Sequence, residues 1–131
     1  MTLMNVLAIV LAAVSYQALG AVWYSFLFQK SWLEEVKIDP ATVDKKSANR
    51  GLILSMLFAV LIAIILFFTI QHAKIEGVWH TASIGLTFAI VHGLATATNI
   101  VFEGKTLRYF LITAGYPFVG WIIMGVIIGL F

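Results

Sequence analysis

Four stretches of this chain are long, apolar and free of internal charge, and they limit its fold more than any other feature. They run from about Leu3 to Phe28, Gly51 to Gln71, Val78 to Phe102 and Leu107 to Phe131, and none holds an Asp, Glu, Lys or Arg well inside it. Each meets the ~20 residues that a helix needs to cross about 30 Å of hydrocarbon. Lipid offers no partner to an unpaired backbone amide, so a spanning segment must close its hydrogen bonds within itself, as a helix does. The expected fold is all-α: an integral membrane four-helix bundle forming a single transmembrane domain over residues 1–131. Composition agrees, with 62% hydrophobic and 11% charged residues, against roughly 25% charged in a soluble domain. A soluble chain this short could not hide so much apolar surface.

The first run begins at Leu3 with no Lys or Arg before it. It is longer than the ~7–15 apolar residues of a secretory signal, so a retained helix is expected. The absence of cysteine excludes disulfides, thiolate metal sites and a cysteine nucleophile. The net charge of +2 does not point to nucleic acid, because the Lys and Arg residues are confined to short segments between the apolar runs. That confinement is a topology signal. Lys30, Lys37, Lys45, Lys46, Arg50, Lys105 and Arg108 fall in or beside the first and third loops, and only Lys74 falls on the other side. Both termini are therefore expected outside, with the first loop facing the cytoplasm of a bacterial inner membrane. Asp39-Pro40 has the form of a helix N-cap followed by proline. A short amphipathic surface helix is expected in this loop, with Trp32 and Leu33 at the interface. Trp23, Trp32 and Tyr109 mark headgroup depth, where an amphipathic ring suits the boundary.

Polar residues within the spans turn toward other helices. His92, Thr96, Asn99 and Glu103 share one face of the third span, and Gly85 extends it. Gln17, Gly20 and Tyr24 form a similar stripe on the first span, and Tyr109, Thr113, Tyr116 and Gly120 on the fourth. The second span offers little but Ser55 and is expected to be the most lipid-exposed. Tyr24, Asn99, Glu103 and Arg108 lie near the inner boundary. Gln17, His92 and Tyr116 lie roughly 10 Å deeper, about seven residues of helical rise. These matched levels predict a polar column, or a ligand-binding pocket, opening to the cytoplasmic side, with Glu103 and Arg108 paired at its mouth. Pro117 is expected to kink the fourth span. Gly125 and Gly129, with Gly120, offer a face for close helix approach and for a homo-oligomer. His72, His80 and Glu76 lie at the outer edge, and no metal site or cofactor is expected.

The segment Gly20-Ala-Val-Trp23-Tyr24-Ser25, followed by a lysine and Trp32, resembles the first-helix signature of domain-of-unknown-function family 1761. Asn99-Ile-Val-Phe102-Glu103-Gly104-Lys105-Thr106-Leu107 and Ile112-Thr-Ala-Gly115-Tyr116 resemble its second half. The resemblance covers essentially the whole chain and implies a small bacterial membrane protein, without supplying an activity. Where that family carries Asn and His near the Gly-Tyr pair, this chain has Thr113 and Pro117. Small multidrug transporters are also four-helix chains of this length, but they rely on a glutamate in the first helix, and this first span has no acid. An enzyme is not expected. His92 and Glu103 are eleven residues apart on one helix, roughly 16 Å in rise, too far for a direct acid–base pair. Two readings remain: a homo-oligomeric transporter or permeation pathway for a small solute or ion, and a non-transporting protein that binds membrane lipid or a small amphiphile in a cytoplasmic-side pocket.

Overall fold

The computed structural model describes residues 1–131 and is entirely helical. Helix α1 spans Leu3–Val22 and runs on into a π-helical turn, Trp23–Leu27. Then follow α2 (Gln29–Val36), a 3-10 turn (Pro40–Thr42), α3 (Lys45–His72), α4 (Val78–Glu103) and α5 (Leu107–Gly129). Leu3–Leu27, α3, α4 and α5 are each long and apolar enough to cross a membrane. This is a membrane protein with an even number of spans, so both termini lie on the same side as the 73–77 turn. That side is called here the terminal side, and the side holding α2 and the 104–106 turn is the loop side.

Local chemistry sets the ends of the helices. Helix α3 starts six residues before its apolar run because the Asp44 carboxylate accepts hydrogen bonds from the Lys46 and Ser47 amides. Such a cap satisfies donors that the first helical turn leaves free. Thr106 does the same for α5, accepting from the Tyr109 amide at 3.0 Å. Gly104, in the left-handed region at φ +65°, ends α4 and lets the chain turn straight into α5. The surface helix of the first loop is Gln29–Val36, earlier than the Asp39-Pro40 signal suggested. Asp39 caps only the 3-10 turn, accepting from the Ala41 amide. Helix α5 remains one helix across the buried Pro117.

Helix α5 is central, packing along α4 and along α1, while α3 packs on α1 and meets α4 and α5 only marginally. The apolar core lies toward the terminal side, where Ala12, Ala59, Ala63 and Met124 have no exposed surface. Alanines at these positions let the helices close without leaving voids, and in lipid close packing is the main source of helix association. The expectation that the second span would be the most lipid-exposed is corrected here. In the most apolar stretch of each helix, 28% of α3 is buried but only 17% of α4. Helix α3 buries Ala59, Ala63, Leu66, Phe67 and Ile70, a face made of small and apolar residues. In a lipid solvent, a buried face need not be marked by polarity.

Gly85 of α4 and Gly125 and Gly129 of α5 serve the contact between these two helices. A Cβ on Gly85 would sit 2.8 Å from the Trp121 carbonyl carbon, and one on Gly129 2.9 Å from the Val78 Cα. Gly125 likewise faces the backbone of Thr81. The small-residue face of α5 is thus filled within the chain, by α4 at Gly125 and Gly129 and by α1 at Gly120.

Candidate functional site

The site begins with the way α1 and α5 interlock. Tyr16 and Gly20 are four residues apart on α1, and Tyr116 and Gly120 are four apart on α5. The helices run antiparallel, so each tyrosine lies over the other helix's glycine. A Cβ on Gly20 would fall 2.8 Å from the Tyr116 hydroxyl oxygen, and one on Gly120 2.5 Å from the Tyr16 ring. The two rings stack with centroids 4.5 Å apart, and the Tyr116 hydroxyl donates to the Tyr16 carbonyl at 3.0 Å. One turn nearer the loop side, Trp23 fits over Gly115 and its indole N–H donates to the Ile112 carbonyl at 2.9 Å. Aromatic pairs of this kind contribute ~0.5–1.5 kcal/mol beyond their burial.

Beside this pair, on the loop-side half, α1 and α3 leave a cleft of about 400 Å³. Gln17, Tyr24 and Ser25 line it from the α1 side, Leu52 and Ser55 from α3, and Tyr116 from α5. Gln17 Nε2 donates to the Ser55 hydroxyl at 2.7 Å, and that hydroxyl donates onward to the Leu52 carbonyl at 2.8 Å. The π-helical turn begins where the cleft opens, with the Phe28 amide reaching back five residues to the Trp23 carbonyl at 2.9 Å. Turns of this width insert one extra residue and are frequent at functional sites. Here the turn carries Trp23, which packs on α5, and Tyr24, which lines the cleft. Tyr24 stands edge-on to Tyr116 at 5.7 Å and to Trp32 of α2 at 5.4 Å. Four rings, Tyr16, Tyr116, Tyr24 and Trp32, thus link the middle of the bundle to the surface helix.

Helix α2 is fastened across the mouth by charge. Glu35 accepts from Arg108 Nε at 2.6 Å and from the Thr106 hydroxyl at 2.7 Å, and Glu34 accepts from Arg108 Nη1 at 3.2 Å. The expected Glu103–Arg108 pair is replaced by these contacts. The tight turn at Gly104 leaves Glu103 exposed, while α2 brings two carboxylates to the start of α5. An acid beside a helix N-terminus is further favoured by the helix dipole. The hydrogen bonds from Thr106 and Arg108 hold the Glu35 carboxyl below its ordinary pKa. Lys105 Nζ lies 5.5 Å from the Tyr109 ring centroid, a cation–π contact at the same level.

The expected polar residues thus separate into groups. Gln17, Tyr24 and Tyr116 come together in the cleft, with Trp32 against Tyr24 and Arg108 near its mouth. His92 and Thr96 lie elsewhere: His92 packs against the Trp121 ring at 5.0 Å, and its Nε2 is 3.3 Å from the Thr96 hydroxyl. Asn99 and Glu103 are exposed on α4. Near the terminal side, His72 donates Nδ1 to the Phe68 carbonyl of its own helix, and His80 donates Nδ1 to the Glu76 carbonyl in the turn before α4. Tyr16, Ser55, Trp121, Glu34 and Glu35 are site or neighbouring residues that sequence reasoning passed over or weighed lightly. The repeated Tyr-x3-Gly spacing in the first and fourth spans was a signal for Tyr16. The Trp121 indole nitrogen is buried without a hydrogen-bond partner, and nothing in the sequence marks it.

Neither the curated proteins nor the solved structures contain a match to this chain. Residues 7–129 match the family described as "Protein of unknown function (DUF1761)". The match takes in the interlocked α1–α5 pair, the cleft beside it and α4, and the chain belongs to that family.

Proposed function

We propose that this protein is a membrane-embedded binding protein that takes a lipid or small amphiphile into the cleft between α1 and α3. The loop side then faces the cytoplasm of a bacterial inner membrane. The observation that carries this reading is a laterally open cleft with polar groups in one half of the bilayer only. Leu52 at its edge is 62% exposed, so a lipid-borne molecule can enter sideways. Its volume falls within the ~300–1,000 Å³ typical of small-molecule pockets. Toward the terminal side the bundle is closed by Ala12, Ala59, Ala63 and Met124, which favours a blind pocket over a path through one chain.

Native mass spectrometry of the gently released protein tests this reading. Wild type should carry one reproducible lipid-sized adduct, and Ala21→Phe, at an exposed residue of α1 that lines the cleft, should fill the cleft and lose it. A bare wild type, or an adduct indifferent to that substitution, would refute the proposal.

A second reading, a permeation path between copies, is favoured by α4. This is the least covered helix, and it carries Asn99 exposed and His92 and Thr96 half-buried. Defined oligomers that cross-link through cysteines placed at Asn99 would support it, and a monomer in lipid would remove it.

A further inference from the structure

We infer that the polar group held in the α1–α3 cleft is uncharged: a carbonyl- or hydroxyl-bearing group of a neutral amphiphile rather than a phosphate or an ammonium. The inference rests on the binding function proposed above and narrows its ligand class.

The case starts from what lines the cleft. It contains an amide, hydroxyls, aromatic rings and small or apolar groups, and no acid or base. Gln17 lies ten residues inside the end of its span at Leu27, roughly 15 Å along the helix. At that depth an ion without a counter-charge loses its hydration and gains nothing in return. At the mouth, Arg108 is engaged by both Glu34 and Glu35, and Arg50 lies five residues before Ser55 on α3, roughly 7.5 Å nearer the loop side and outside the cleft lining. Those two carboxylates are likewise committed to Arg108, and no acid lines the cleft to receive an ammonium group.

The capacity that remains is of a definite kind. Gln17 spends one N–H on Ser55, and its amide oxygen is open to accept. The Tyr116 hydroxyl donates to Tyr16, so it can offer only lone pairs. Ser55 donates to Leu52 and accepts from Gln17. Tyr24 and Ser25 line the cleft, and their hydroxyls have no hydrogen-bond partner in the chain and are free to donate. A ligand carbonyl fits the Tyr24 and Ser25 hydroxyls, and a ligand hydroxyl fits the Gln17 oxygen. The flanking Tyr24 and Tyr116 rings present flat apolar surface to the carbons beside that group. A quinone head, a long-chain alcohol and a diacylglycerol all share this chemistry.

Two probes with the same chains separate the possibilities: dioctanoylglycerol, which is neutral, and dioctanoyl phosphatidylglycerol, which is anionic. Each is titrated into the full-length protein in detergent and read by native mass spectrometry, with wild type, Tyr24→Phe and Ala21→Phe compared. Tyr24→Phe keeps the ring contacts and removes one free hydroxyl, so it should fold as wild type does. The expected result is a single adduct of the neutral probe, bound at least about tenfold more tightly than the anionic one. That adduct should weaken severalfold in Tyr24→Phe and disappear in Ala21→Phe. Equal or tighter binding of the anionic probe, still blocked by Ala21→Phe, would overturn the neutral class and leave the cleft as the binding site. Binding of either probe that ignores Ala21→Phe, or no binding of either, would overturn both.

Discussion

Replacing Gly85 with alanine tests whether α4 and α5 touch backbone to backbone. The new methyl carbon would lie 2.8 Å from the Trp121 carbonyl carbon and closer still to its oxygen. Touching carbon atoms need about 3.5 Å, so the two helices must separate locally by roughly 0.5–1 Å. A side chain could swing aside from such a contact, whereas a backbone carbonyl inside a helix cannot. Overpacking of this kind costs about 1–3 kcal/mol. The upper half of that range is expected here, because the same displacement loosens the Gly125 and Gly129 contacts further along the pair. Gly93 supplies the control. It lies on the same helix, and a methyl group there meets nothing within 4 Å. Gly93→Ala should be neutral, or stabilising by up to ~1 kcal/mol through lower backbone entropy in the unfolded chain. The assay is reversible unfolding of both variants in mixed micelles or bicelles, followed by loss of helix signal. Equal stability of Gly85→Ala and wild type would refute the close crossing. So would a Gly93→Ala variant as damaged as Gly85→Ala.

Three further outcomes follow from the same geometry. The Gln17–Ser55 hydrogen bond should show a coupling of ~0.6–2 kcal/mol in a double-mutant cycle of Gln17→Leu and Ser55→Ala, and additivity of the two would show that it contributes nothing. Glu35 has its pKa lowered by Thr106 and Arg108. Its hold on α2 is therefore fully present above the ordinary carboxylate pKa and is lost only as acid titrates through the lowered value. Glu35→Gln should raise hydrogen exchange of the α2 amides at neutral pH to the level wild type reaches only in acid, and unchanged protection would refute the fastening. The chain has no cysteine, so single cysteines report sidedness cleanly. Lys74→Cys should react with an impermeant reagent in intact cells and Lys45→Cys should not, and the reverse pattern would invert the proposed orientation.

The sequence by itself determined the four spans, because hydrocarbon solvation acts on each segment alone and leaves helix as the available form. Helical spacing and depth, counted along the chain, predicted one polar column of Gln17, Tyr24, His92, Thr96, Asn99, Glu103, Arg108 and Tyr116, of which only Gln17, Tyr24 and Tyr116 line one cleft. The surface helix was legible as a feature but displaced in position, because Asp39-Pro40 caps a turn as readily as a helix. Tertiary structure alone decided which helices touch. The order in which α3, α1, α5 and α4 pack depends on ring packing over Gly20 and Gly120, backbone approach at Gly85 and Gly125 and alanine contacts in α3, and lipid-facing and helix-facing apolar residues look alike in sequence. The same holds for Arg108. Its near neighbour in sequence, Glu103, was the obvious partner, yet Glu34 and Glu35, more than seventy residues away, hold it. Contacts between distant elements depend on where each helix ends and how α2 lies across the mouth, and only the folded chain brings those together.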